Sequence, residues 1–289
     1  MATEPVKAMP VIVPESIEHA LEALAEHPDA TVLAGGTDLM VEVNDGRRSP
    51  ARVVAVGRVP GLAGIRVDDA TIVIGAATTF ARLETGPVAE LAPALAYAAR
   101  TVGSPQIRNA ATIGGNLATA SPAGDSLPVL VALGATVEVA GLDGRRRIPI
   151  DDFFTGPKRS ALAPGELVVA VHVPVRRGPQ DYLKVGVRNA MVIAVASVAI
   201  AVDLDARTIG VGLGSVGPTP LSAPDACAAI SASARWGADS FEVDAAAIAA
   251  FADQVAAAAR PIDDHRGTAQ YRRHAVRVMA RRALRRCAA

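Results

Sequence analysis

The spacing of apolar positions changes several times along the chain, and each change predicts an element. Residues 10–13 are a short apolar run and predict a strand. Over 16–25, Ile17, Ala20, Leu21 and Leu24 recur at helical spacing, with Ser16 placed to cap the helix and Pro28 to end it. A second run over 31–34 predicts a strand, Gly35-Gly36 a turn, and 37–40 the opening of a short helix. The valine-rich stretch 52–56 predicts a third strand, and 65–67 with 71–74 a hairpin about Asp68-Asp69. Helices are predicted over 80–83 and 88–102; in the second, Leu91, Leu95 and Ala98 share a face. Pro105 marks a break before a stretch of small residues in which only Ile113 and Leu117 are bulky. A helix over 126–133 and a strand over 135–140 follow, then a turn over 141–147 with three consecutive arginines and a strand over 167–173.

Residues 176–180 have the composition of a linker, and a domain boundary is placed there. Beyond it, 182–187, 193–202 and 208–214 predict three antiparallel strands, and 222–234, 243–259 and 271–286 predict helices. In the last helix Val276, Met279, Ala283 and Leu284 form an apolar side, while Arg273, Arg277 and Arg281 form a solvated one.

Composition narrows the function classes. With 51% hydrophobic but only 3% aromatic residues in 289, the core must be built from Ala, Val, Leu and Ile, in more than one domain. Lys+Arg and Asp+Glu balance at 29 each, which argues against a nucleic-acid partner. Cys227 and Cys287 lie far apart with no C-x-x-C, and the five histidines form no ligand pair, so no metal site is expected in this chain. The stretch 1–10 has no apolar leader, and the longest apolar run, 190–202, is shorter than the roughly 20 residues a bilayer needs, so a soluble, cytoplasmic protein without a membrane span is expected.

Candidate chemistry sits in the small-residue stretch Thr112-Ile113-Gly114-Gly115-Asn116 and its continuation to Asp125. Glycine lacks a Cβ and lets backbone approach a ligand closely, and successive amides in a turn make a concave anion site. Thr112, Asn116, Thr119 and Ser121 add neutral donors, and Asp125 could accept from a ribose hydroxyl, a set that suits a nucleotide pyrophosphate. A tight strand-to-strand turn followed by a polar loop would explain the same residues. The upstream motif Ala34-Gly35-Gly36-Thr37-Asp38-Leu39 fits neither G-x-G-x-x-G nor a P-loop, yet it too offers amides after a strand. Asp38 is expected to accept backbone N–H bonds and rigidify that turn.

These two motifs in order, together with Asp263-Asp264, Arg266-Gly267 and Tyr271-Arg272-Arg273-His274, resemble the FAD-binding medium subunit of molybdenum hydroxylases, a group that includes carbon monoxide dehydrogenase flavoproteins and the flavin domain of xanthine dehydrogenase. The resemblance spans nearly the whole chain. It implies an α+β fold of the vanillyl-alcohol-oxidase type: two α/β FAD-binding subdomains over 1–57 and 58–176, and a C-terminal antiparallel sheet with helices over 177–289. It implies FAD held through its diphosphate by Leu33, Ala34, Gly35, Gly36, Thr37, Asp38 and Leu39 from the first motif, and by Thr112, Ile113, Gly114, Gly115 and Asn116 from the second, with Thr119 nearby. It also implies Asp125 near the adenosine or ribityl hydroxyls, Val102 in place of an aromatic against adenine, and Val168 and Lys184 near the flavin. Met191 falls where a capping side chain is sometimes found. Molybdopterin and [2Fe-2S] clusters are implied only in partner chains, a large subunit and a small iron–sulfur subunit, in a dimer of heterotrimers. No side chain of this chain is then needed as a general acid or base. A free-standing FAD-dependent oxidase and a non-enzymatic nucleotide-binding module remain as alternatives.

Overall fold

A computed structural model describes residues 9–288; most of the stretch read for a leader, residues 1–8, lies outside them, as does residue 289. Near the start, β1 (Val11–Ile12) leads into α1 (Ile17–Glu26), which Ser16 caps by accepting the His19 amide at 3.0 Å. Next come β2 (Thr31–Leu33), the glycine pair, α2 (Leu39–Asn44) and β3 (Val53–Ala55). The strands form a parallel sheet in the order β1-β3-β2, with α1 and α2 as the crossovers that parallel pairing requires. Ile17, Leu21, Leu24, Val54 and Leu62 pack together and share their core with Ala140, Leu167 and Val169 of the following unit.

The predicted hairpin forms as β4 (Ile65–Asp68) and β5 (Thr71–Gly75), with Asp69 in the left-handed region at φ 50°. Six helices then follow: α3 (Phe80–Leu83), α4 (Pro87–Leu91), α5 (Pro93–Arg100), α6 (Pro105–Ala110), α7 (Ile113–Thr119) and α8 (Leu127–Leu133). The single helix expected over 88–102 is thus two, because Pro93 cannot donate to the ladder and pushes Ala92 out of the helical region, to φ −137° and ψ 60°.

β6 (Thr136–Gly141) and β7 (Gly144–Pro149) pair antiparallel, so Arg145, Arg146 and Arg147 lie on an edge strand and not in the turn expected for them. After the short α9 (Ile150–Phe153) and the hairpin of β8 (Phe154–Gly156) and β9 (Arg159–Ser160), β10 (Leu167–Pro174) closes an antiparallel sheet in the order β4-β5-β10-β6-β7. β10 is its central strand and is buried along nearly its whole length.

The third unit is built on β11 (Gln180–Val185), β12 (Ala196–Asp203) and β13 (Thr208–Gly214), antiparallel as expected. α10 (Pro224–Ser233), the short pair β14 (Arg235–Trp236) and β15 (Phe241–Glu242), α11 (Ala245–Ala258) and α12 (Ala269–Cys287) complete it. α12 buries Val276, Met279, Ala283 and Leu284 and leaves Arg273, Arg277 and Arg281 exposed. On the sheet's other side α8 lies directly on β13: a β-carbon at Gly212 would stand 1.8 Å from the Pro128 carbonyl oxygen. Cys227 and Cys287 are free thiols. No helix among the described residues is long and apolar enough to cross a membrane.

Candidate functional site

The two glycine motifs meet across one cleft with a volume of about 760 Å³. One wall is the loop between β2 and α2, where Leu33, Ala34, Gly35, Gly36, Thr37, Asp38 and Leu39 all reach the surface of the cleft. Among the described residues no acceptor takes the backbone N–H of Gly35, Gly36, Thr37, Asp38 or Leu39. Gly36 adopts φ +73°, which turns the chain so that these amides follow one another around the bend. Successive amides without acceptors along a bend are the kind of arrangement that can make a concave anion site. Among the described residues the Asp38 carboxylate takes no backbone N–H bond, contrary to expectation. It accepts the Thr119 hydroxyl at 3.5 Å and so bridges the two motifs.

The opposite wall differs from the expected loop. Thr112 caps α7 by accepting the Gly115 amide at 3.1 Å, and the glycine pair forms the first turn of the helix. The amides of Ile113 and Gly114 donate to the carbonyls of Thr78 and Ala76, and that of Asn116 to Thr112. The second motif therefore offers no row of free amides; its contribution to the cleft is the side chains of Thr112, Asn116 and Thr119 and the bare α-carbons of the glycines. Gly114 is required for packing, since a β-carbon there would stand 2.5 Å from Ala76 Cβ. Gly115 is different: its β-carbon would meet only Thr112 Oγ1, at 3.0 Å. Ile113 is fully buried beneath the wall and lies outside the cleft.

Asp125, Val102 and Val168 also line the cleft, as does Met191, which sits at φ 50° with its carbonyl held by the Arg188 guanidinium. Lys184 does not reach the cleft surface. It lies behind Asp125, its Nζ 2.7 Å from Asp125 Oδ2 and 3.1 Å from the Thr101 carbonyl. The buried Tyr182 hydroxyl donates to the other carboxylate oxygen at 3.0 Å. Burial pushes the Asp125 carboxyl up, while Lys184 and then Tyr182 favour its charged form. Burial, reinforced by the Asp125 charge, drives the Tyr182 hydroxyl well above its ordinary value. Sequence reading did not single out Tyr182, because its partner is 57 residues away. It also passed over Arg48 and Lys158, the cations on the cleft lining, both of which approach Glu42. Lys158 follows Gly156-Pro157, a turn signal that could have placed it at a loop tip.

The donor set fits an elongated dinucleotide. The volume lies in the range of small-molecule and cofactor sites. An uncharged row of amides can hold a diphosphate, and apolar patches at Leu33, Val102 and Val168 can accept flat rings.

Residues 6–176 match a family described as the FAD binding domain in molybdopterin dehydrogenase, and residues 181–287 match the CO dehydrogenase flavoprotein C-terminal domain. The chain is 44% identical over 165 residues to the 6-hydroxypseudooxynicotine dehydrogenase complex subunit alpha of Paenarthrobacter nicotinovorans, a match spanning 56% of each chain. It is 34% identical over 277 residues to the nicotine 6-hydroxylase medium subunit of the same organism, covering 94% of both. A chain of the carbon monoxide dehydrogenase of Hydrogenophaga pseudoflava superposes with a TM-score of 0.87 at 32% identity, over 97% of this chain and 96% of that one. The chain belongs to the family of FAD-binding subunits of molybdenum hydroxylases.

Proposed function

We propose, from membership of that family, that this chain is the flavoprotein subunit of a molybdenum hydroxylase complex. It takes electrons from the iron–sulfur clusters of a partner subunit and hands them to an external acceptor. The observation that carries this reading is the single cleft in which five free amides of Gly35–Leu39 face the polar side chains of Thr112, Asn116 and Thr119. In this reading the amides hold the diphosphate, and Gly115 leaves the opposite wall bare so that the diphosphate can approach it. Val102 and Val168 cover the rings. Asp125, fixed from behind by Lys184 and Tyr182, presents a rigid acceptor edge to the hydroxyls of the bound nucleotide. FAD, when bound, supplies the redox chemistry, and the protein supplies position and surroundings.

The partners in this proposal are a molybdopterin-binding large subunit and a small [2Fe-2S] subunit, assembled as a dimer of heterotrimers in the cytoplasm. Relatives named as a complex subunit alpha and a medium subunit support the presence of partner chains. The [2Fe-2S] clusters and the molybdopterin are assigned to those partner chains. The division at 57/58 and 176/177 belongs to the same reading; three apolar clusters follow it in part, the first also taking Leu62, Ala140, Leu167 and Val169 from the second unit and the second taking Tyr182, Ala199 and Ala201 from the third.

The test is the flavin content of the full chain, purified alone and after addition of FAD. One FAD per chain is expected. A chain that stays colourless and takes up no FAD would refute the reading. Co-expression with a molybdopterin-binding large subunit and a small iron–sulfur subunit of the same source tests the partner assignment through co-purification.

A further inference from the structure

The polar stretch from Asp263 to Gly267 and the helix α12 contribute no residue to the cleft lining. One side chain of α12 nevertheless ties the cleft together from behind. Arg272 is only 4% exposed. Its Nη1 donates to the carbonyls of Val195 and Ser215, each at 2.7 Å, and its Nη2 donates to Asp264 Oδ1 at 2.6 Å. Asp264 is itself fixed by the amides of Arg266 and Gly267.

Both carbonyls lead to the cleft. Val195 lies two residues beyond the lining residues Met191, Val192 and Ile193, and its own amide donates to the Val185 carbonyl. Ser215 stands at φ 62°, a conformation that a non-glycine residue holds only when its surroundings impose it, and its amide donates at 2.8 Å to the carbonyl of Pro122. Pro122 sits among the lining residues Ser121, Ala123, Gly124 and Asp125. One guanidinium therefore joins two segments that flank the cleft but touch it at separate places.

We infer that Arg272 is a positioning residue for this cleft: by holding Val195 and Ser215 at a fixed separation, it sets the spacing of the segments 121–125 and 191–193, and FAD retention depends on it. Only arginine can do this. Its planar fork reaches three acceptors at once and stays charged, whereas a lysine ammonium on a flexible stem replaces the fork with a single point. Arg272 Nε has no partner among the described residues, so a buried charged group is kept here at a cost in unsatisfied hydrogen bonding. The inference rests on the proposed FAD site.

The full chain is compared as wild type, Arg272→Lys, Asp264→Asn and Arg281→Lys, the last an exposed arginine of the same helix. The readouts are the dissociation constant for FAD, the visible circular dichroism of the bound flavin, and the melting temperature. Arg272→Lys is expected to weaken FAD binding roughly tenfold and to alter the dichroism, within the range of couplings between separate sites. Asp264→Asn should shift both in the same direction by less, and Arg281→Lys should change neither. Wild-type affinity and dichroism in folded Arg272→Lys would overturn the inference. If Arg272→Lys fails to fold, Asp264→Asn decides, and wild-type values there overturn it equally. Failure of the FAD site itself shows in the wild type, which would then bind no FAD.

Discussion

A β-carbon placed on Gly35 would stand 1.9 Å from the carbonyl oxygen of Ala110, closer than any two such atoms can approach. The glycine is needed there because two backbones meet. The loop after β2 runs against the end of α6, and this contact holds the free amides of the first motif opposite Thr112 and Asn116 of the second. The cleft lies where the two segments touch.

Gly35→Ala should therefore force the two walls apart. We expect a loss of about 3 kcal/mol of stability, at the upper end for overpacked sites, together with loss of bound flavin. Chemical denaturation and flavin absorbance measure both; an unchanged denaturation midpoint would show that the contact is looser than described.

Gly115→Val separates binding from folding. Its β-carbon would meet only Thr112 Oγ1 and otherwise project into the cleft. The expected result is a chain with near wild-type far-ultraviolet dichroism that retains no FAD. Gly36→Val should also lower flavin content, because a β-branched residue at φ +73° is strained and would reshape the amide row. Normal flavin content in both variants would argue against the diphosphate site.

Much of this was legible in the sequence, and the gaps have physical causes. The Ser16 cap, the hairpin about Asp68-Asp69 and the strand ending at Gly214 follow from local patterning, and they form as read. The helix α7 was not legible, because two adjacent glycines are poor helix formers and tertiary burial of Ile113 and Leu117 overrides that propensity. α6 carried a readable signal, Ser104 at the cap position followed by Pro105 in the first turn. Most of the residues singled out line one cleft, but which of their amides are engaged was not legible. Which amides are free depends on Ala76 and Thr78, distant residues whose carbonyls take the amides of Gly114 and Ile113. The pairing of Lys184 with Asp125, which withdraws the lysine from the cleft, likewise joins positions 59 residues apart.

Lys184→Met should be strongly destabilising, by roughly 3–5 kcal/mol, because it leaves the Asp125 carboxylate buried beside Tyr182 without its cation. Adding Asp125→Asn to that variant should restore part of the loss, since the uncompensated charge disappears. A double-mutant cycle by urea denaturation measures the coupling, and additive losses would contradict a direct pair.

Asp203 provides the pH test of the third unit. Burial works against its ionisation, but the Ala206 amide and the Arg176 guanidinium, 2.6 Å away, outweigh it and hold the carboxyl below its ordinary range. A carboxylate lowered in the folded state binds fewer protons there than in the unfolded chain. Its stabilisation is therefore complete above the ordinary value and lost as pH falls through the lowered one. Asp203→Asn should be less stable than wild type at neutral pH, with the gap closing in acid; a gap independent of pH would exclude this pair as its source.

The most direct measurement is a crystal structure of the full chain grown with FAD. The account predicts the diphosphate in hydrogen-bond contact with the amides of Gly36, Thr37, Asp38 and Leu39, facing the bare side of Gly115. A diphosphate bound elsewhere, with those amides still facing solvent, would contradict it.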